Sequence, residues 1–254
     1  MRNVSTISFA AKVALVCCCL GICGTAPAKE KAKAKQPSAE MVDSGTFGVF
    51  TSGTRVATET FSIQQSASGS VISSQFKSAQ GEHSAEQSSE LQLTPSAELR
   101  RYEWKETSPE TMTATVAPND AFLIERYTSG ANNKTNEQNF LLPASTSILD
   151  DYFFVQREVL AWKYLASACK KDNGRLSCPL HQKTQFGVLN PHARSSMPVA
   201  IEFAGTEKLT VHGTERELNK LLLTSETGDW AFWLDDGFKM IRLVNDSGTE
   251  IVRD

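Results

Sequence analysis

Apolar and polar residues alternate along most of the chain from residue 44 onward. Pairs of apolar residues two positions apart recur at Phe47 and Val49, Phe61 and Ile63, Leu91 and Leu93, Tyr102 and Trp104, Ala114 and Val116, Phe122 and Ile124, Val199 and Ile201, and Phe232 and Leu234. Because successive side chains of a strand point to opposite faces, the pattern predicts antiparallel strands with one buried and one solvated face. Turn dipeptides such as Ser52-Gly53 and Asp236-Gly237 separate the segments at intervals typical of a meander, sandwich or barrel.

One segment, residues 147–168, breaks this alternation. Its apolar residues recur at helical spacing and form a wide stripe, which comprises Ile148, Leu149, Tyr152, Phe153, Val155, Val159, Leu160, Trp162 and Tyr164. Ser147 and Asp150 have the spacing of a capping box, and Asp150-Asp151 suits a first helical turn. The segment therefore predicts one long amphipathic helix packed against the sheet. Glu215–Leu223 is a second candidate helix, although its three leucines also suit a strand.

The order of many strands, one helix and more strands is typical of an α+β fold. We expect a mainly antiparallel, curved sheet, an open barrel or half-barrel, packed around the helix of residues 147–168. Residues 44–254 would form this single β-rich domain, which is a normal size for one domain.

The N-terminus has the pattern of a secretory signal peptide. Arg2 precedes an apolar run, Val13–Cys23, and small residues lead to Ala28. A run this short does not span a bilayer, which takes about 20 residues, so cleavage after Ala28 is predicted. An uncleaved anchor is one alternative, and lipidation at Cys23 is another, because Leu20–Cys23 looks like a lipobox. We expect an exported protein, periplasmic or extracellular, whose mature chain has no transmembrane segment.

Charge changes this picture only slightly. The whole chain has 26 basic and 29 acidic residues, a net charge of −3; without residues 1–28, which hold two basic and no acidic residues, it is 24 − 29 = −5. This balance argues against a nucleic-acid partner. Residues 29–43 predict a mobile basic linker, because lysine and alanine alternate there with almost no apolar bulk.

Beyond the predicted signal peptide the chain has two cysteines, Cys169 and Cys178. The turn dipeptide Asn173-Gly174 between them would bring the two sulfurs together, and an exported protein favours a disulfide. One alternative is a metal site with His181 and His192, although the spacing is not that of common zinc sites. Two unpaired thiols are the other alternative.

Two hairpin patterns near the ends of the domain resemble a known class. Phe47–Phe50 with Gly53–Phe61 resembles the first hairpin of bacterial exported half-barrel proteins of the lipoprotein-carrier (Lol-like) type and related uncharacterised periplasmic families. Trp233–Leu243, where an aromatic and acidic strand turns back through a basic strand, is similar to their penultimate hairpin. The resemblance implies an open barrel around a helix, with an apolar cavity for acyl chains.

Catalytic signatures are absent from the sequence, which contains no G-x-S-x-G, H-E-x-x-H, P-loop or G-x-G-x-x-G motif. No catalytic residue or cofactor is therefore predicted. The four histidines are expected to be structural, His212 at a strand end, and they are His83, His181, His192 and His212. Asp235-Asp236 suits a hairpin turn.

Three functions remain as hypotheses. The first is an exported module that binds a lipid, acyl chain or other apolar ligand between helix and sheet. Its candidate lining residues are Tyr152, Phe153, Leu160, Trp162 and Tyr164. The second is a structural or interaction protein of the cell envelope with a filled interior, and the third is a hydrolase with a dispersed site. A cavity between helix and sheet would favour the first over the second.

Overall fold

The alternating segments form strands in the computed structural model, which describes residues 39–78, 84–130, 134–172 and 175–254. The predicted signal peptide, His83 and the Asn173-Gly174 turn lie outside the described residues. The strands are β1 (Glu40–Thr51), β2 (Thr54–Ser66), β3 (Gly69–Ser78), β4 (Glu86–Leu93), β5 (Leu99–Ser108), β6 (Met112–Asn119), β7 (Phe122–Ser129), β8 (Lys134–Phe140), β9 (Ser147–Ile148), β10 (Lys170–Asp172), β11 (Arg175–Ser177), β12 (Thr184–Asn190), β13 (Ser195–Val211), β14 (Thr214–Ser225), β15 (Trp230–Leu234), β16 (Met240–Asn245) and β17 (Thr249–Arg253). The one α-helix within the described residues is α1 (Val155–Ala168).

Fifteen of the strands form one sheet in the order β8-β7-β6-β5-β4-β3-β2-β1-β17-β16-β15-β14-β13-β12-β9. The pairs are antiparallel, as predicted, except that β9 and β12 are parallel. β1 and β17 pair in the middle, from Phe47 opposite Arg253 to Thr51 opposite Thr249, and so join the two halves of the meander. The outermost strands β8 and β9 do not pair with each other, so the sheet is not closed.

Strands from both halves of the sheet contact α1. Glu59 of β2 accepts hydrogen bonds at the start of the helix, and Tyr164 of the helix accepts one from the backbone N–H of Phe203 in β13. Trp162 Nε1 donates to the carbonyl of Phe238, in the turn before β16. The sheet therefore curves around the helix, and its inner face and α1 form the main core.

The two hairpins identified in the sequence are present as β1–β2 and β15–β16. Ser52 and Gly53 both have positive φ, 51° and 77°, which is the geometry of a type I′ hairpin turn. Thr214–Ser225 is strand β14, so the candidate helix there is wrong. β1 begins at Glu40, which places the end of the predicted linker, residues 29–43, in the sheet.

The helix is shorter than predicted. α1 has 14 residues and begins at Val155, eight residues after the predicted start. Ser147–Ile148 instead forms β9, because it pairs with β12 at the edge of the sheet. Asp150 and Asp151 lie in the loop before α1, so their predicted role in a first helical turn is wrong.

The first turn of α1 is capped from the sheet rather than by a local capping box. Glu59 Oε2 accepts a hydrogen bond from the Phe154 N–H at 2.8 Å, and Oε1 accepts one from the Val155 N–H at 3.3 Å. Ser74 Oγ donates a third bond to Oε1 at 2.7 Å. A carboxylate at this position is favourable because the first N–H groups of a helix have no partner inside it.

In β7 the predicted inward face is confirmed only in part. Ile124 is 8% exposed, but Phe122 is 43% exposed, and Leu123 and Glu125, at the alternate positions, are fully buried on the inner face. Tyr127 follows at the same parity and packs against the core. An acidic side chain therefore points into the molecule where the sequence pattern suggested a solvated position.

The predicted disulfide is confirmed. Cys169 and Cys178 are joined with an S–S distance of 2.12 Å, at the end of α1 and after the small hairpin of β10 and β11. The alternatives of a metal site at these cysteines and of two unpaired thiols are therefore wrong. Within the described residues, no helix has the length and apolar character needed to cross a membrane.

Candidate functional site

The five residues predicted to line a ligand cavity separate into two groups. Phe153, Leu160 and Tyr164 are fully buried, and Tyr152 and Trp162 are partly buried. Leu160 and Trp162 line a cavity between helix and sheet. Tyr152 instead packs against the rings of Phe76 and His192. Ligand contact by these residues stays a prediction.

The first cavity, here called the helix cavity, opens between α1 and strands β2 to β4. Its volume is about 240 Å³. Its walls are mostly apolar, and the lining residues are Ile63, Gln65, Ser70, Ile72, Leu91, Leu93, Ala97, Thr146, Ser147, Ile148, Gln156, Val159, Leu160, Trp162, Lys163 and Ala166. Side chains at alternate positions of β2, β3 and β4 form one wall of the cavity, and one face of α1 forms the other.

Lys163 is the basic group of the helix cavity. Its Nζ donates to the carbonyl oxygen of Ser145 and, at 3.2 Å, to Ser147 Oγ. Burial lowers the pKa of Lys163, and the nearby Glu98 opposes that shift. An ammonium has three donors, so one remains for a ligand oxygen after these two bonds.

A second cavity, here called the Glu125 cavity, lies on the inner face of β5, β6 and β7. Its volume is about 290 Å³. The turn that follows β12 covers it, and the lining residues are Trp104, Glu106, Met112, Glu125, Tyr127, Ser129, Pro191, His192 and Arg194. This cavity differs from the first because its lining combines aromatic rings with two carboxyl groups.

His192 lies between Asp150 and two aromatic rings in the Glu125 cavity. His192 Nδ1 lies 2.6 Å from Asp150 Oδ1, and the Tyr102 hydroxyl donates to Asp150 Oδ2 at 2.7 Å. The His192 ring stacks on Trp104 with ring centroids 3.9 Å apart, and the Tyr152 ring is tilted against its centroid at 4.8 Å. Burial, together with Asp150, raises the pKa of Tyr102 well above its ordinary value.

Glu125 is a fully buried carboxyl group, and neither of its oxygens has a hydrogen-bond partner among the described residues. Burial raises its pKa to about 7, against the opposing effect of Arg194. The Arg194 guanidinium does not bond Glu125 but lies over the Tyr127 ring, 4.6 Å from its centroid. Buried polar groups are normally paired, so this unpaired carboxyl marks the cavity as a candidate site.

Sequence reasoning missed Glu125, Trp104 and His192 as members of one site. The available signal was the alternation in β7, because Leu123, Glu125 and Tyr127 are two positions apart and so lie on the same face of the strand. Nothing local indicates that a turn about 67 residues further along the chain covers that face. The described residues contain no cluster of three or more histidine, cysteine or acidic side chains placed to hold a metal ion.

The fold, the helix cavity and the Glu125 cavity together define a class: an open, mainly antiparallel sheet curved around one short helix, with an apolar and a carboxyl-bearing cavity on its inner face. Comparison with protein-family models, with curated proteins and with solved structures found no match to this chain.

Proposed function

We propose that the protein is exported and binds a small apolar ligand, such as a lipid tail or acyl chain, in the helix cavity. The observation that supports this proposal is the apolar space of about 240 Å³ left between α1 and strands β2 to β4. A fully packed interior, as the structural-protein hypothesis requires, would have filled that space with side chains.

The size of the helix cavity limits the ligand. An apolar cavity of about 150 Å³ suffices to bind benzene, whereas drug-sized ligands need about 300 Å³ or more. The cavity of about 240 Å³ therefore suits one end of an acyl chain or a single ring. Lys163 supplies a positive charge there, so a carboxylate or phosphate end group would complete the ligand.

Export is supported by two features of the chain. The N-terminal residues have the order of a secretory signal peptide. The Cys169–Cys178 disulfide is typical of proteins that leave the reducing cytosol. The resemblance to half-barrel carriers adds the expectation of an acyl ligand.

Displacement of the fluorescent fatty acid cis-parinaric acid tests the proposal. Ala166→Phe would place a ring across the opening of the helix cavity, and Ala166 is exposed, so we expect this variant to fold. Ser167→Phe is the matched control, since Ser167 is exposed on the same helix and is not part of the lining. We expect Ala166→Phe to weaken binding about tenfold or more, which corresponds to about 1.4 kcal/mol.

Equal binding by both variants and the parent protein, or no binding of any fatty acid, would contradict the proposal. Native mass spectrometry of protein purified from the cell envelope provides a second measurement. We expect a co-purifying lipid that is lost in Ala166→Phe and retained in Ser167→Phe.

A further inference from the structure

Unpaired buried polar atoms gather around the Glu125 cavity. Among the described residues, Trp104 Nε1, both ring nitrogens of His192 and both carboxyl oxygens of Glu125 have no hydrogen-bond partner. An unpaired buried polar group destabilises the folded protein, and an unpaired buried charge does so more strongly. The two Glu125 oxygens are acceptors beside a cavity of about 290 Å³, and they point to a ligand that supplies hydrogen-bond donors to them.

The protein holds these atoms in fixed positions. His192 Nδ1 lies 2.6 Å from Asp150 Oδ1, and the stacked rings of His192 and Trp104 form one wall. Tyr127 forms another wall, and the Arg194 guanidinium makes a cation–π contact with one face of its ring. Aromatic faces attract cations, and a carboxylate in an apolar setting attracts them more strongly.

We propose that the Glu125 cavity binds a small organic cation, a protonated amine with an apolar body, with Glu125 as its counter-ion and Trp104 and Tyr127 as its aromatic walls. This site is separate from the helix cavity and does not depend on the function proposed there. The amine N–H groups donate to the two Glu125 oxygens, which are acceptors without donors.

The balance of charge favours a cation over an anion. Asp150 accepts hydrogen bonds from the Tyr102 hydroxyl and the Tyr152 N–H and lies beside His192, so, unlike Glu125, its oxygens already have partners. The Arg194 guanidinium lies over the Tyr127 ring and does not hydrogen-bond to Glu125, so both oxygens of that carboxylate lack a partner among the described residues. An anionic ligand would meet Glu125 as a like charge.

Binding should depend on pH through Glu125. Its pKa is raised to about 7 by burial, so a cation that needs the carboxylate competes with a proton. The titratable or charged groups that face Glu125 are Glu106 and Tyr102 from β5, Tyr127 from β7, Asp150 from the loop before α1, and His192 and Arg194 from the turn after β12. We expect affinity to fall about tenfold from pH 8 to pH 6, since the ionised fraction of a group with a pKa near 7 falls by that factor.

The probe is benzylammonium, and benzyl alcohol is its neutral counterpart of nearly the same shape. Calorimetric titration of the disulfide-bonded protein at about pH 8 should show benzylammonium binding about tenfold or more tightly than the alcohol. Glu125→Gln should remove that preference. Glu137→Gln, an exposed change on the neighbouring strand β8, is the matched control and should keep it.

Arg194→Gln separates this proposal from an anion site. Removing a like charge beside a bound cation should raise benzylammonium affinity several-fold, whereas loss of affinity would mean that the arginine is the binding group. Equal binding of amine and alcohol, unchanged binding by Glu125→Gln, or no binding of benzylammonium would each overturn the proposal. None of these outcomes affects fatty-acid binding in the helix cavity.

Discussion

At the scale of single residues, two fully buried glutamates on the inner face of the sheet, Glu59 and Glu125, lie in contrasting surroundings. Glu59 accepts three hydrogen bonds, whereas Glu125 accepts none from the described residues. Burial dominates in both cases and raises each pKa from 4.5 to about 7. Hydrogen bonds to the charged form of Glu59 therefore offset only part of the cost of its burial.

These raised pKa values predict a loss of stability with rising pH. Between pH 4.5 and about 7 the folded protein binds more protons at these groups than the unfolded chain, so the free energy of unfolding decreases through that window. A shift from 4.5 to about 7 corresponds to about 3 kcal/mol for each carboxyl group. Urea unfolding at about pH 5 and about pH 8 measures this decrease.

The Glu125→Gln variant isolates one of the two contributions. Glutamine does not titrate, so we expect the decrease from about pH 5 to about pH 8 to be smaller by roughly 3 kcal/mol than in the parent protein. Glu137→Gln should retain the full decrease, because Glu137 is exposed and paired with Arg126. An unchanged decrease in Glu125→Gln would show that Glu125 is ionised in the folded protein at acid pH.

The sequence predicted buried strand faces well where large apolar residues set the parity, as at Phe61 and Ile63. It failed in part in β7, where the structure buries Ile124 but exposes Phe122, and fully buries Leu123 and Glu125 on the opposite face. The prediction gave too much weight to Phe122, an aromatic residue at the end of the strand, and too little to the alternation along the rest of β7. Only the partners across the sheet decide which face is inside, and those partners are distant in sequence.

At the scale of elements, the position of α1 is decided by the sheet. The spacing of Ser147 and Asp150 predicted an early helix start. In the structure the Asp150 carboxylate instead accepts a hydrogen bond from the Tyr102 hydroxyl and lies beside His192. The cap comes from Glu59, which is 95 residues before Phe154. No local signal identifies such a cap, whereas the disulfide was predictable because its two cysteines lie nine positions apart around a turn dipeptide.

Removal of this cap should destabilise the protein through α1. Glu59→Ala leaves the Phe154 N–H, the Val155 N–H and the Ser74 hydroxyl without their buried acceptor. Since an unpaired buried group costs about 1–3 kcal/mol, we expect a loss of about 3 kcal/mol or more in urea unfolding. Glu90→Ala, an exposed glutamate on β4, is the control and should cost less than about 0.5 kcal/mol. A loss below about 1 kcal/mol in Glu59→Ala would mean that water replaces the cap.

At the scale of the whole molecule, the first and last strands of the sheet hold its two halves together. Arg253 of β17 forms a two-pronged pair with Asp43 of β1, at 3.2 and 2.7 Å, and its Nη2 also donates to Glu158 of α1 at 3.0 Å. Its Nε donates to the carbonyl of Met240 in β16 at 2.7 Å. One side chain thus connects both halves of the sheet to the helix.

The two carboxyl groups that Arg253 contacts, Asp43 and Glu158, are almost fully buried, which makes them sensitive to its loss. Burial raises the pKa of Asp43, but hydrogen bonds with Arg253, Glu158 and Lys239 outweigh it and hold that pKa below its ordinary value. Burial, with Asp43 nearby, raises the pKa of Glu158 well above its ordinary value. Without Arg253, two neighbouring carboxyl groups would share a buried site with Lys239 as the remaining cation beside Asp43.

Arg253→Met should therefore be among the most destabilising single changes in the chain. Breaking a buried ion pair from one side costs about 3–5 kcal/mol, and we expect urea unfolding to show a loss of that size near pH 7. Arg242→Met is the matched control, because Arg242 pairs with Glu250 in a partly exposed position and should cost less than about 1 kcal/mol. The loss in Arg253→Met should shrink at acid pH, since Asp43 can then be neutralised by a proton. Equal losses in the two variants would mean that the pairing of β1 with β17, rather than Arg253, holds the two halves of the sheet together.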